Sequence, residues 1–365
     1  MDTHVMTRPT SPTRRSARAA RLFTAGSLLA ATLAAATSAF APAIAAAAPK
    51  FTPHVPCAGW DGRTDLPAGT TCRTITVDGY AREYFVYVPA GLPTGAVPLV
   101  VMHHGSSGNG AQFARGSGWR EQAAASKFIV AFPTGLQYWV TKDVPARWST
   151  KWNSVHVGEE IDVNKRLPGY PATAPWPADD VKFERALIAD VATLHPIDAN
   201  RIYATGFSNG SAFSTRLATD MSDTFAAVAS SGGSDVDLAG LARLGAAGTP
   251  PMWGVMGTAD DRLTSKVPPG TIVWDRDRLL ALTLRLPNYS GILNSLALDR
   301  SPCRTEQTKT TITFGFCSPG WSASTTPEYR MTWVKDLTHR YPTSAPALFW
   351  KFFSSSPKAG GTAAR

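Results

Sequence analysis

The strongest constraint in this chain is five residues long. Gly206-Phe207-Ser208-Asn209-Gly210 follows the β-like run Arg201-Ile202-Tyr203-Ala204-Thr205 and opens a helix predicted from Ser211 to about Met221. A serine at the tip of a strand-to-helix turn sits on strained backbone with its hydroxyl exposed, and a residue larger than glycine two places to either side would crowd the turn. The hydroxyl is a weak nucleophile until a base takes its proton, and that base needs a buried carboxylate to orient it. The motif therefore asks for one acid and one histidine elsewhere. The plain alternative is a glycine-rich loop with no chemistry.

On turns of this kind the partners follow the serine in the order acid, then histidine, each at the carboxyl end of a strand. Pro251-Met252-Trp253-Gly254-Val255-Met256 reads as a buried strand running into Gly257-Thr258-Ala259-Asp260-Asp261. Asp260 is the expected acid, with Asp261 in reserve. Arg330-Met331-Thr332-Trp333-Val334-Lys335 reads as a further strand, followed by a loop that carries His339, the one histidine of seven that lies after Asp260. His339 is the expected base.

The reaction also needs two donors for an oxyanion. Asn209 supplies one backbone amide by position. The other is expected from Ser106, in the glycine-rich loop His104-Gly105-Ser106-Ser107-Gly108-Asn109-Gly110 after the run at 97–103. The rival reading of this segment makes His103 and His104 metal ligands. Adjacent residues of a strand point to opposite faces, which argues against one shared ion, so no metal and no cofactor are expected.

The elements His104-Gly105 with Gly108-Asn109, Asp179-Asp180-Val181, Arg201-Ile202-Tyr203, Gly206 to Gly210, Gly257-Thr258-Ala259-Asp260, and His339 before Tyr341-Pro342 resemble the secreted esterase family that groups polyhydroxybutyrate depolymerases with feruloyl and acetylxylan esterases. The resemblance covers most of the chain from about Cys57 to Phe353. It implies an α/β-hydrolase fold, no cofactor, and carboxylic ester hydrolysis by Ser208, Asp260 and His339. The chain departs from the usual family pattern at Met256, Ser211, Leu337-Thr338 and Tyr341, and these departures leave the triad intact.

Arg8, Arg14, Arg15, Arg18 and Arg21 precede a long uncharged stretch of alanine and leucine that ends near Ala45-Ala46-Ala47. Residues 1–47 are therefore expected to be an export signal that is removed, the alternative being an uncleaved membrane anchor. The segment carries +4 of the formal +9 and leaves +5, with no basic cluster interleaved with aromatics, so no nucleic-acid partner and no lasting membrane association are expected. The four cysteines suit an oxidising, extracellular setting, and pairing Cys57 to Cys72 and Cys303 to Cys317 is the simplest of three connectivities.

Strand-like and helix-like runs alternate, which predicts a mostly parallel, doubly wound sheet with helices on both faces. Strands are expected near 73–77, 84–88, 99–103, 128–132, 201–205, 225–230 and 252–256, and helices near 118–126, 181–194 and 345–353. Asp179-Asp180 suits a helix cap. One catalytic domain spans 48–353, and 354–365 is expected to be a disordered tail. Between 133 and 177 the pattern breaks into an aromatic stretch, read as a wall beside the serine with Trp148, Trp152 and Trp176 as substrate contacts, or equally as core under a long loop. The expected activity is a secreted serine ester hydrolase acting on 3-hydroxyalkanoate oligomers or polyester. Feruloyl or acetylxylan esterase, exported acyltransferase and non-catalytic polymer-binding protein are the alternatives. No second module for gripping a solid polymer is evident, so soluble oligomers are expected to react faster per bond than crystalline polymer.

Overall fold

Strand β3 (Val97–His103) is buried at all seven positions, as are all five of β4 (Ile129–Pro133) and of β8 (Ala227–Ser231). Continuous apolar runs of this kind belong to a parallel sheet covered on both faces. The computed structural model describes residues 54–59, 63–233, 235–320 and 328–358. The stretch read as an export signal lies outside them.

The remaining strands are β1 (Thr70–Val77), β2 (Tyr80–Tyr87), β5 (Leu136–Val140), β6 (Arg147–Lys151), β7 (Ile197–Phe207), β9 (Met252–Gly257), β10 (Arg304–Gln307), β11 (Thr311–Phe316) and β12 (Tyr329–Val334). Ten of the twelve form one sheet in the order β1-β2-β4-β3-β7-β8-β9-β12-β11-β10, and β5 pairs with β6 in a separate hairpin. From β4 to β12 the neighbours are parallel, and the two strands at either edge turn antiparallel. The outermost strand β10 is exposed throughout and carries Arg304 and Glu306, a polar edge that discourages further pairing.

The helices are α1 (Gly110–Gly116), α2 (Trp119–Ser126), α3 (Asp180–Ala192), α4 (Asn209–Asp220), α5 (Leu238–Gly248), α6 (Asp261–Thr264), α7 (Arg276–Arg285), α8 (Pro287–Ser295) and α9 (Ala345–Ser354). Side chains alternate across a strand, and the core divides accordingly. Leu99, Val101 and Ala204 pack with Phe183 and Leu187 of α3 and Phe213 and Leu217 of α4, whereas Val100, Met102 and Tyr203 pack with Trp119 of α2 and Phe349 and Phe353 of α9. Helices therefore cover both faces of a doubly wound, largely parallel sheet, the α/β-hydrolase arrangement.

The expected strands and helices are all present, with β7 beginning four residues early and α4 beginning at Asn209. Asp179 caps α3, accepting from the Lys182 amide at 2.9 Å, while Asp180 is buried in an ion pair of 2.6 Å with Arg82. Of the stretch expected to be a disordered tail, residues 354–358 are described and are held against the domain. Ser356 is buried, its Oγ donates to the Phe352 carbonyl at 2.9 Å, and the Lys358 amide donates to the Asn200 carbonyl at 2.9 Å.

Strand order reverses beside β3. Its crossover through α1 and α2 leads to β4 on one side, while β7 lies on the other. In open α/β sheets the crevice outside the carboxyl ends of such strands is where ligands bind. The loops after β3 and β7 carry Ser106 and Ser208 to that crevice.

Candidate active site

The turn at Ser208 is as tight as its glycines imply. Ser208 has φ 54° and ψ −117°, a strained position for a residue with a side chain. A β-carbon on Gly206 would stand 2.1 Å from the Gly210 carbonyl oxygen, and one on Gly210 would stand 2.4 Å from the carbonyl oxygens of both His103 and His104. The strain is held by the neighbouring strand, because the Ser208 amide donates to the Ser231 carbonyl at 2.9 Å.

His339 Nε2 lies 3.0 Å from Ser208 Oγ, and His339 Nδ1 lies 2.9 Å from Asp260 Oδ2. Asp260 is 1% exposed, and its other oxygen accepts the Arg262 amide at 2.9 Å, so the buried carboxylate is held on both sides. Asp261 is exposed at the first position of α6, and it is Asp260 that bonds His339. The loops bearing acid and base are tied together: the Thr258 amide donates to the Val334 carbonyl at 2.9 Å and the Ala259 amide to the Leu337 carbonyl at 3.1 Å. The Phe207 ring, 5.0 Å from the imidazole, backs it from the serine side.

The glycine-rich loop lies against this line of residues. Ser107 has φ 63°, its amide donates to the Thr150 carbonyl at 3.0 Å, and the Gly108 amide donates to the Gly105 carbonyl at 3.0 Å. The amide of Ser106, just before them, has no protein acceptor among the described residues. The Asn209 amide, at the start of α4, has none within its helix and lies at the positive end of the helix dipole. Ser106, Ser208, Asn209 and His339 all line one cleft of about 470 Å³. The Asn209 side chain accepts the Trp152 amide at 2.7 Å.

His103 and His104 are both fully buried and are engaged by protein groups. His104 Nε2 accepts the Gly135 amide at 2.9 Å, so its Nδ1 is the ring donor, at 2.7 Å from the Gly105 carbonyl. Burial pulls His104 down to about 4, leaving a neutral ring that braces the loop at Gly105. His103 Nδ1 is 3.0 Å from the Thr205 carbonyl and 2.9 Å from Ser214 Oγ, and its Nε2 is 3.3 Å from Glu184.

The aromatic wall is corrected by the structure. Trp152 is wholly buried, stacked on Phe213 at 5.2 Å, with its Nε1 donating to the His104 carbonyl at 2.9 Å. Trp176 packs against Tyr138 and Tyr170 at 4.6 and 5.7 Å, and Trp148 meets Trp139 edge-on at 5.5 Å. None of the three lines the cleft. A flat apolar ring suits a core as well as a binding wall, and here each of the three rings is engaged by another aromatic side chain.

What faces the cleft instead is charge: Asp143, Arg147, Lys151 and Glu160 from the hairpin region, Asp235 after β8, and Arg262 and Lys266 beside the acid turn. Arg147 pairs with Asp143 at 2.8 Å and Lys151 with Glu160. Burial lowers Lys151 to about 8, against the pull of Asp143 and Asp235. Sequence reasoning missed all seven. The nearest available signal is the position of Arg262 and Lys266 directly after Asp260, but a charged residue looks the same in sequence whether it faces a cleft or bulk water.

Cysteines 57 and 72, and 303 and 317, form two disulfides in the expected local pairing. Among the described residues no helix is long and apolar enough to cross a membrane.

Fold and site together define a serine–histidine–aspartate triad on an α/β-hydrolase fold. No family model matches the chain. It is 31% identical over 169 residues to a putative esterase, NocK, of Nocardia uniformis subsp. tsuyamanensis, covering 46% of this chain and 42% of that one. It is 32% identical over 152 residues to feruloyl esterase B of Piromyces equi, 41% and 24% of the two lengths. To poly(3-hydroxyalkanoate) depolymerase C of Paucimonas lemoignei it is 27% identical over 148 residues, 40% and 30%. The chain is thus similar to esterases of this group while spanning less than half the length of each of these relatives.

Proposed function

We propose that this chain is a secreted serine carboxylic ester hydrolase that works through an acyl-enzyme, with 3-hydroxyalkanoate oligomers as its substrate class. The observation that carries the chemistry is the unbroken line from Ser208 Oγ through His339 to Asp260, with contacts of 3.0 and 2.9 Å. Those are the distances a nucleophile, its base and the base's orienting group require.

His339 Nε2 takes the Ser208 proton as the hydroxyl oxygen attacks the ester carbonyl. Asp260 holds the proton on Nδ1, which leaves Nε2 as the acceptor, and stabilises the imidazolium that forms. The amides of Ser106 and Asn209 receive the oxyanion. His339 returns the proton to the leaving alcohol. It then takes a proton from water, whose oxygen attacks the acyl carbon and releases the acid and the serine.

The substrate class rests on the lining. The cleft is polar, with Phe207 as the one Phe, Tyr or Trp among the described residues that line it, and Phe207 is occupied by His339 and by Tyr341 at 6.1 Å. A short aliphatic hydroxy-acid ester suits that surface better than a phenolic acyl group, which calls for a flat apolar slot. A relative named as a poly(3-hydroxyalkanoate) depolymerase and two disulfides of the kind formed in oxidising compartments support the reading and the extracellular setting.

The test is fluorophosphonate labelling of the purified protein, mapped to Ser208 by peptide sequencing, with hydrolysis of hydroxybutyrate oligomers, methyl ferulate and acetylated xylan measured side by side. Absence of labelling overturns the chemistry. Faster release of ferulate or acetate overturns the substrate class.

A further inference from the structure

The seven charged residues that line the cleft do not cancel locally. Arg147 and Lys151 are matched by Asp143 and Glu160. Arg262 and Lys266 have no carboxylate at ion-pair distance among the described residues, and the only other acid on the lining is Asp235. Two unmatched cations therefore face one unmatched carboxylate.

The backbone that carries the two cations is fixed relative to the reacting atoms. Arg262 is the second residue of α6, its amide is bonded to Asp260 Oδ1 at 2.9 Å, and Asp260 holds His339. Lys266 comes four residues later, just past the helix end, where its amide donates to the Leu263 carbonyl at 2.9 Å. Both residues line the same cleft, and like charges on one wall repel unless an anion comes between them. The apolar lining amounts to Phe207, Met256 and Leu263, so binding energy in this cleft has to come largely from polar contacts. A recessed site of this kind also concentrates the field of the charges on its wall.

We propose that Arg262 and Lys266 select esters bearing a carboxylate on the part of the molecule that lies toward the acid turn. Oligomers of hydroxy acids with a free acid end, and hemiesters of dicarboxylic acids, are the chemical class. The remote carboxylate takes no part in bond making. It is held by the two cations while Ser208 attacks the ester carbonyl. The inference rests on the ester-hydrolase reading of the same site.

The experiment compares mono-p-nitrophenyl adipate with p-nitrophenyl hexanoate, which have the same acyl length and differ in the terminal carboxylate. At low ionic strength kcat/KM is expected to be about tenfold higher for the adipate, with the ratio falling severalfold in about 0.5 M salt. In the double variant Arg262→Gln, Lys266→Gln the ratio falls to about one, and in Arg262→Glu, Lys266→Glu the hexanoate becomes the better substrate. Equal kcat/KM values for the two esters with the unaltered protein, a preference that salt does not weaken, or a ratio unchanged in the double variant overturns the proposal. The salt comparison needs no variant, so the proposal stays testable if the substitutions disturb folding. Fluorophosphonate labelling separates the two readings: a labelled Ser208 with no preference for the adipate sinks the anion-selecting role alone, whereas no labelling and no turnover of either ester sinks both.

Discussion

Gly257 lies so close to Leu337 that a β-carbon on it would come within 1.9 Å of the Leu337 carbonyl oxygen. This contact joins the strand end that leads to Asp260 to the loop that leads to His339, and the 3.1 Å bond from the Ala259 amide to the same carbonyl completes the junction. The acid and the base are 79 residues apart in sequence, and their 2.9 Å contact depends on this close backbone approach.

Gly257→Ala should therefore separate the two loops by a few tenths of an ångström or more and lower kcat by about a hundredfold, since catalysis is that sensitive to placement. Gly95→Ala, whose new β-carbon meets nothing within 4 Å, serves as the control and should keep full activity. Steady-state rates normalised to the fluorophosphonate-titrated site would settle it. Near-native kcat in Gly257→Ala would mean that the junction does not position the triad.

Asp260→Asn should lower kcat by about 10³–10⁴-fold by presenting the wrong histidine tautomer to the serine. Asp261→Asn, at an exposed position, should change it less than about threefold. Ser208→Ala, His339→Ala and their double variant should be almost equally inactive, because triad members act as a unit. Additive losses in that cycle, or the reverse ranking of the two asparagine variants, would contradict the assignment.

Trp152→Ala should act on stability. The ring is fully buried against Phe213, and its loss leaves the His104 carbonyl without the Nε1 donor. A cost of about 3–5 kcal/mol is expected from denaturant unfolding. KM for short and long esters should change together. A selective rise for the longer ester would restore Trp152 to the substrate wall.

The buried His104 makes the protein weaker in mild acid. Its ordinary value near 6.5 is lowered to about 4 in the folded chain, so between those values the unfolded chain binds the extra proton. The stability associated with keeping the ring neutral is fully present above about pH 6.5 and is lost progressively as pH falls toward 4, to a total of about 3 kcal/mol. His104→Gln should flatten the dependence of unfolding free energy on pH across that window. An unchanged slope would place the titrating group elsewhere.

The glycine-flanked serine, the acid at the end of one strand and the histidine after another were legible because each signal is local. Positive φ at Ser208 demands small neighbours at Gly206 and Gly210, and chain order leaves a single histidine after Asp260. The same holds for β3, whose unbroken apolar run announces burial on both faces, and for the disulfides, whose partners lie 15 and 14 residues apart. The helices α5, α7 and α8, the polar edge strand β10 and its neighbour β11 were not read from the sequence.

What the tertiary structure alone decided is the surface that the serine faces. Lys151 ends β6 and Trp152 follows it directly, one facing the cleft and the other buried in the core, but which goes where depends on how the hairpin docks against α4. Lys151, Asp235 and Arg262 meet only because β6, the turn after β8 and the turn after β9 converge at the carboxyl ends of a parallel sheet. Local periodicity records the spacing of side chains along one element. It carries no record of the distant elements that those side chains will face, and the charge of the cleft is set by that encounter.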